Sequence, residues 1–138
     1  MKTPRQFLIF SILAISVFGA YAQQVEYHYF DKRDGVKIEY RWSLSNLLNR
    51  NSDAVLYLQM TNENDYPVSI SYKVGFFRNE LLFLESGLGE LCLNPGQRRR
   101  GSRTDMRYSA RDIKMPMTGE EWFSWDLVEF DVEEASCK

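Results

Sequence analysis

One histidine, His28, is all the imidazole available to this 138-residue chain. It lies in an alternating stretch between Tyr27 and Tyr29, with no H-x-H or H-E-x-x-H partner. A zinc site would have to be assembled from carboxylates and distant thiols. His28 therefore reads as an ordinary strand residue, and no metal or other cofactor is expected. There is no G-x-S-x-G elbow and no glycine-rich phosphate loop, so neither a nucleophile nor a phosphate cradle is supported. The run NENDY (62–66) offers oxygen ligands at alternate positions. It lacks the glycine and the distal glutamate that complete a calcium loop, and reads as a capped turn. Nineteen acids make chance carboxylate pairs uninformative about glycoside hydrolysis, because the pair's separation is a tertiary property. These absences argue against an enzyme. Also missing are a second long apolar run, an internal repeat and a low-complexity segment.

What is present begins with an export signal. Lys2 and Arg5 precede an apolar-and-small run over 7–20, and AYA (20–22) supplies small residues ahead of a cleavage expected between Ala22 and Gln23. The run is shorter than the ~20 apolar residues of a spanning helix. No cysteine stands near the cleavage point, so a lipoprotein anchor is not expected. Residues 1–22 are thus read as a signal peptide and 23–138 as one exported domain, periplasmic or extracellular, without an integral membrane span. Removing 22 of 138 residues leaves 116, enough for a single core. This mature chain has 15 Lys and Arg against 19 Asp and Glu, a net charge of −4. That is an ordinary solubility charge with no global pull on polyanions, so no nucleic-acid partner is expected. Cys92 and Cys137 make an even count, which in an exported protein points to a disulfide.

The rest of the chain alternates with a period of two. VEYHYF (25–30) and VKIEYRW (36–42) flank Asp34-Gly35, a strong hairpin signal. A polar stretch, 43–53, makes either one helical turn or a loop crossing an end of the fold. Leu56, Leu58 and Met60 share a face, and in 68–77 Val68, Ile70, Tyr72, Val74 and Phe76 face one way while Ser69, Ser71 and Lys73 face the other. ELLFLES (80–86), ELCLN (90–94) and RRRGSRTDMRY (98–108) follow as further strands, with Pro95-Gly96 as a turn. In the final strand, 121–133, the apolar phase switches from Phe123, Trp125 and Leu127 to Val128, Phe130 and Val132. One extra residue near Leu127 repairs it, so a β-bulge is expected there. Seven or eight strands with frequent turns and no long helical pattern indicate an all-β fold, a sandwich or small barrel.

LYLQMTNENDYPVSISYKVGFFRNELL, then ELCLNPGQ and a closing FSWDLVEFDVE, resemble small exported immunoglobulin-like sandwich proteins of Bacteroidota, most without an assigned function. The resemblance spans most of residues 36–134. It implies an immunoglobulin-like antiparallel β-sandwich in the cell envelope, and it carries no catalytic residue. The function expected is therefore contact with a protein or a glycan. A carbohydrate-binding module is the alternative, and it would need two or more exposed, coplanar aromatic rings. Trp125 is expected in the core, whereas Trp122, beside Glu120 and Glu121, is expected to be exposed and to be a candidate binding residue.

Arg98, Arg99 and Arg100, followed closely by Arg103, are the other candidate surface. Residues 98–114 carry seven basic and two acidic side chains, and 120–134 carry seven acids and no base. If the two segments were neighbouring antiparallel strands, they would form a ladder of opposite charges, each pair contributing ~0.2–1 kcal/mol. Internal balance is the expectation. An anionic-partner site is the competing one.

Overall fold

The computed structural model describes residues 26–138. The expected signal and the cleavage after Ala22 lie outside the described residues. Among the described residues, the period-two pattern builds nine strands in two antiparallel sheets packed against each other, a β-sandwich. Sheet A contains β1 (His28–Arg33), β2 (Val36–Leu44), β3 (Ala54–Asn62), β7 (Arg98–Arg100) and β8 (Arg107–Ala110); sheet B contains β4 (Val68–Arg78), β5 (Leu81–Glu85), β6 (Gly89–Leu93) and β9 (Phe123–Glu134).

Both sheets follow one plan, to which sheet A adds β1 outside β2. A long central strand has a full-length partner on one edge and two short collinear strands on the other. In sheet A, β3 pairs with β2 throughout and with β8 and then β7 on its far side. In sheet B, β4 pairs with β9 throughout and with β6 and then β5 opposite. The core forms between them from the residues the alternation picked out. Leu56, Leu58, Met60, Val68, Ile70, Tyr72, Val74 and Phe76 are all at or below 1% exposure.

Local chemistry explains the connections. Asp34 and Gly35 turn β1 into β2 with φ of 48° and 74°, the left-handed geometry of the tightest hairpins. Asn79 and Glu80 make the same kind of turn between β4 and β5 at φ 46° and 67°, where neither residue is glycine. In β9, Leu127 faces Val74 and Glu129 faces Lys73, so Val128 is the inserted residue of the expected bulge. Asn62 is buried and closes the 62–67 turn. Its Nδ2 donates to the carbonyls of Tyr66 (2.8 Å) and Leu93 (3.0 Å), and its Oδ1 accepts from the Asn64 amide at 3.0 Å. The NENDY segment is thus a capped turn. Cys92 on β6 is bonded to Cys137 beyond β9, with Cα atoms 5.5 Å apart. The bond fastens the last residues to sheet B, and the loop-entropy model gives ~4 kcal/mol for closing a loop of this length.

One expected element is corrected. Residues 98–108 do not form a single strand. Gly101 and Met106 both bond to Leu58 of β3, through Gly101 N–Leu58 O at 2.7 Å and Leu58 N–Met106 O at 3.1 Å. The chain therefore leaves the sheet after β7 and returns at β8, and Ser102–Asp105 form an excursion beyond the edge. Gly101 permits the exit, since a Cβ there would sit 2.6 Å from the Met106 carbonyl oxygen.

Candidate functional site

The arginine cluster is not balanced by the acids of β9. Arg98, Arg99 and Arg100 pair across β3 with Thr61, Met60 and Gln59, while β9 pairs with β4 in the other sheet. The expected ladder fails because near-cancelling charge along a sequence does not say which sheet each segment joins. Strand pairing places all the outward side chains instead. Lys32, Lys37, Arg41, Arg98, Arg100 and Arg107 share the outer face of sheet A with one acid, Glu39. The outer face of sheet B carries Glu85, Glu90, Asp126, Glu129, Asp131 and Glu133 with one base, Lys73.

The single acid of the basic face is already engaged. Glu39 pairs with Lys37 at 3.2 Å and accepts a hydrogen bond from the Gln59 amide. Gln59 in turn accepts from Arg100 Nε at 2.7 Å, which ties that guanidinium to the neighbouring strand β3 on the same face. Arg98 makes no ion pair among the described residues. Arg99 alternates to the opposite side of β7 and reaches Asp105 at 3.7 Å.

Next to this row, three arginines from three separate elements meet at a groove of about 850 Å³. Arg41 comes from β2, Arg107 from β8 and Arg103 from the 102–105 excursion; Tyr57 of β3 forms part of the floor, and Ser43, Ser45 and Asn46 line a wall. Cross-strand register explains the meeting, since Tyr57 faces Arg41 on one side and Arg107 on the other. The Arg41 guanidinium lies 4.1 Å from the Tyr57 ring centroid and 5.6 Å from that of Tyr27. Cation–π attraction to a ring on either side fixes its plane. Arg107 Nε donates to the Tyr57 hydroxyl at 3.1 Å. No carboxylate lines the groove, and the buried Nε of Arg41 has no hydrogen-bond partner among the described residues. Like charges held together with donors unspent form a receptor for an oxyanion, because planar guanidinium forks match carboxylate, sulfate and phosphate geometry.

The other candidates do not assemble. Trp122 is half-buried rather than exposed, set edge-on to Phe123 at 6.1 Å. It borders a shallow groove of about 700 Å³ whose other side chains include Glu80, Glu120 and Glu121. Trp125 is half-buried too, stacked on Phe30 at 4.1 Å. The exposed rings are Tyr29, Tyr66 and Phe83, on three separate elements, so no coplanar sugar platform forms among the described residues. His28 is exposed beside Tyr40, and no cluster of three or more metal-ligating side chains occurs among the described residues. No helix among them is long and apolar enough to cross a membrane.

Arg41, Tyr57, Arg103 and Arg107 were not foreseen as a group. The available signal was their parity: Arg41 and Tyr57 occupy the outward phase of β2 and β3. Which strands are neighbours had to be known before that parity meant anything. No protein-family model, no curated protein and no solved structure matches this chain.

Proposed function

We propose that the chain is an exported, non-catalytic sandwich module that acts by contact in the cell envelope, through the basic outer face of sheet A. The export part of this reading rests on residues 1–22 and is supported by the Cys92–Cys137 bond, which suits an oxidising compartment. The observation that carries the contact part is the meeting of Arg41, Arg103 and Arg107 in a groove with no acid in its lining, continued by Arg98 and Arg100 along β7. The contact is with an anionic partner, of which an envelope glycan and an acidic protein face are the soluble forms. Nucleic acid is disfavoured, because single-stranded binding uses free aromatic faces for base stacking and the Tyr57 ring is already covered by Arg41. A carbohydrate-binding module built on aromatic stacking is disfavoured by the half-buried tryptophans.

Binding to heparin, a generic sulfated polyanion, tests the reading. The domain should be retained at low salt, and retention should fall steeply as salt rises, since each neutralised group releases counterions. Arg98→Glu with Arg100→Glu should remove it. A wild-type domain that passes through unretained at low salt would refute the proposal.

A further inference from the structure

The loop joining β2 to β3 reverses the usual distribution of polarity. Its polar side chains are spent inside the loop. Ser52 Oγ donates to the Asn46 carbonyl and accepts from the Asn46 amide, both at 3.1 Å, and Asn46 Oδ1 accepts from the Leu48 amide at 3.0 Å. Asn49 Oδ1 accepts from the Asn51 amide at 3.0 Å, and the Ser45 amide closes the base on the Asp53 carbonyl at 2.9 Å. Its apolar side chains go to water: Leu47 is 78% exposed and Leu48 97%. A leucine pair held in solvent by a hydrogen-bonded double turn is not a core residue that missed its place. It borders the groove of Arg41, Arg103 and Arg107, and the exposed Arg50 follows it in the same loop.

Apolar tip and cationic pocket adjoin, and that pairing fits one kind of surface. In a bilayer with anionic headgroups the phosphate layer lies directly over the acyl boundary. A short apolar projection can enter that boundary while arginines beside it stay at phosphate level. A soluble polyanion would use the arginines and leave the leucines without a role. We propose that this end of sheet A docks onto an anionic phospholipid surface, with Leu47 and Leu48 entering the interface and a lipid phosphate seated between Arg41, Arg103 and Arg107. The proposal rests on the basic face being the contact surface, and adds that the surface it meets is a membrane. Reversible binding is expected, because two leucines supply far less buried area than a lipid anchor.

Co-sedimentation of the full domain with vesicles tests this, using phosphatidylcholine alone and phosphatidylcholine mixed with phosphatidylglycerol. Binding is expected only to the mixed vesicles. Leu47→Ser with Leu48→Ser should weaken it about tenfold or more without changing the melting temperature, since neither side chain packs on the core. Leu81→Ser, at a leucine of sheet B that is 73% exposed, should change nothing. Arg41→Gln with Arg107→Gln should remove the preference for anionic vesicles. Equal binding to neutral vesicles, or mixed-vesicle binding untouched by the double serine variant, would overturn the proposal. Heparin retention without any vesicle binding would overturn it while leaving the contact reading of the basic face in place.

Discussion

The outer faces of the two sheets are built on one plan and carry opposite charge. Sheet A presents six bases and Glu39, and sheet B presents six acids and Lys73. The lone minority charge behaves alike on both, since Glu39 is tied to Lys37 and Lys73 is held between Glu85 (3.2 Å) and Glu129 (3.1 Å). Loop structure is where they part. Sheet A has an arginine-bearing excursion at 102–105 and a projecting leucine pair, which give its charge a concave, mixed-polarity end. Sheet B has a long β9, interrupted only by the bulge at Val128, whose carboxylates stand along an open edge, where like charge discourages strand-to-strand aggregation. The acidic face is explained by solubility. The basic face is not.

Both faces stand on a shared core, and the largest effects come from removing it. Ile70 is fully buried in β4, between the two sheets. Ile70→Ala should cost ~2–5 kcal/mol in urea unfolding and weaken both faces together. Lys73→Ala, three residues along the same strand, should cost well under ~1 kcal/mol, because its two ion pairs lie at the surface. Similar losses from the two variants would mean that the strand's inward and outward phases have been interchanged.

Besides the Arg33–Asp126 ion pair at 2.8 Å, a hydroxyl pair links the two sheets and gives a smaller effect. Tyr72 of β4 and Tyr108 of β8 share a hydrogen bond with oxygens 2.6 Å apart. Burial disfavours the phenolate at both, so each is raised above the ordinary tyrosine range. A raised acid in the folded state binds its proton more tightly than the unfolded chain does. Its contribution is therefore complete below the unfolded value of ~10 and is lost as pH climbs past it. Unfolding midpoints should hold steady near neutrality and fall above ~10. Tyr108→Phe should cost ~1–3 kcal/mol near neutrality by stranding the Tyr72 hydroxyl, and should flatten the alkaline fall. An alkaline fall of unchanged slope in the variant would place its origin elsewhere.

Much of this plan was legible in the chain, and the reason is local. Alternation in 68–76 identifies the core face because strand geometry leaves only two sides, and the phase switch after Leu127 locates the bulge because one inserted residue is the smallest repair. The cysteine pair needed only an even count and the expectation of export. Two features were out of reach. The split of 98–108 into β7 and β8 depends on Gly101 and Met106 both bonding to Leu58 of β3, one to its carbonyl and one to its amide, a pairing that no local pattern encodes. The expected ladder between 98–107 and 121–134 failed for a related reason. Charge composition predicts attraction but not adjacency, and the core's demand for a sandwich put the two segments on opposite sheets. Arg41 and Tyr57 were visible as outward residues, but their meeting with Arg107 is a property of register.

The smallest effect on stability gives the sharpest test of the two faces. Arg98→Glu with Arg100→Glu lowers the net charge by four, and Asp131→Lys with Glu133→Lys raises it by four. The quadruple variant therefore keeps the net charge of −4 carried by residues 23–138 while erasing the separation between the faces. All four residues concerned are solvent-facing, so unfolding midpoints should stay within ~0.5 kcal/mol of wild type. Ion-exchange behaviour should change completely. A molecule with net charge −4 and uniform charge would pass a cation exchanger at neutral pH. A molecule with its bases gathered on one face should be retained there, because the resin meets the local field and not the sum. Retention is expected for the wild type and for the Asp131→Lys, Glu133→Lys variant. It should vanish for the quadruple variant despite its identical net charge. Equal passage of wild type and quadruple variant through the column at low salt would show that the arginines of sheet A create no separate field, and with it would go the case for that face as a binding surface.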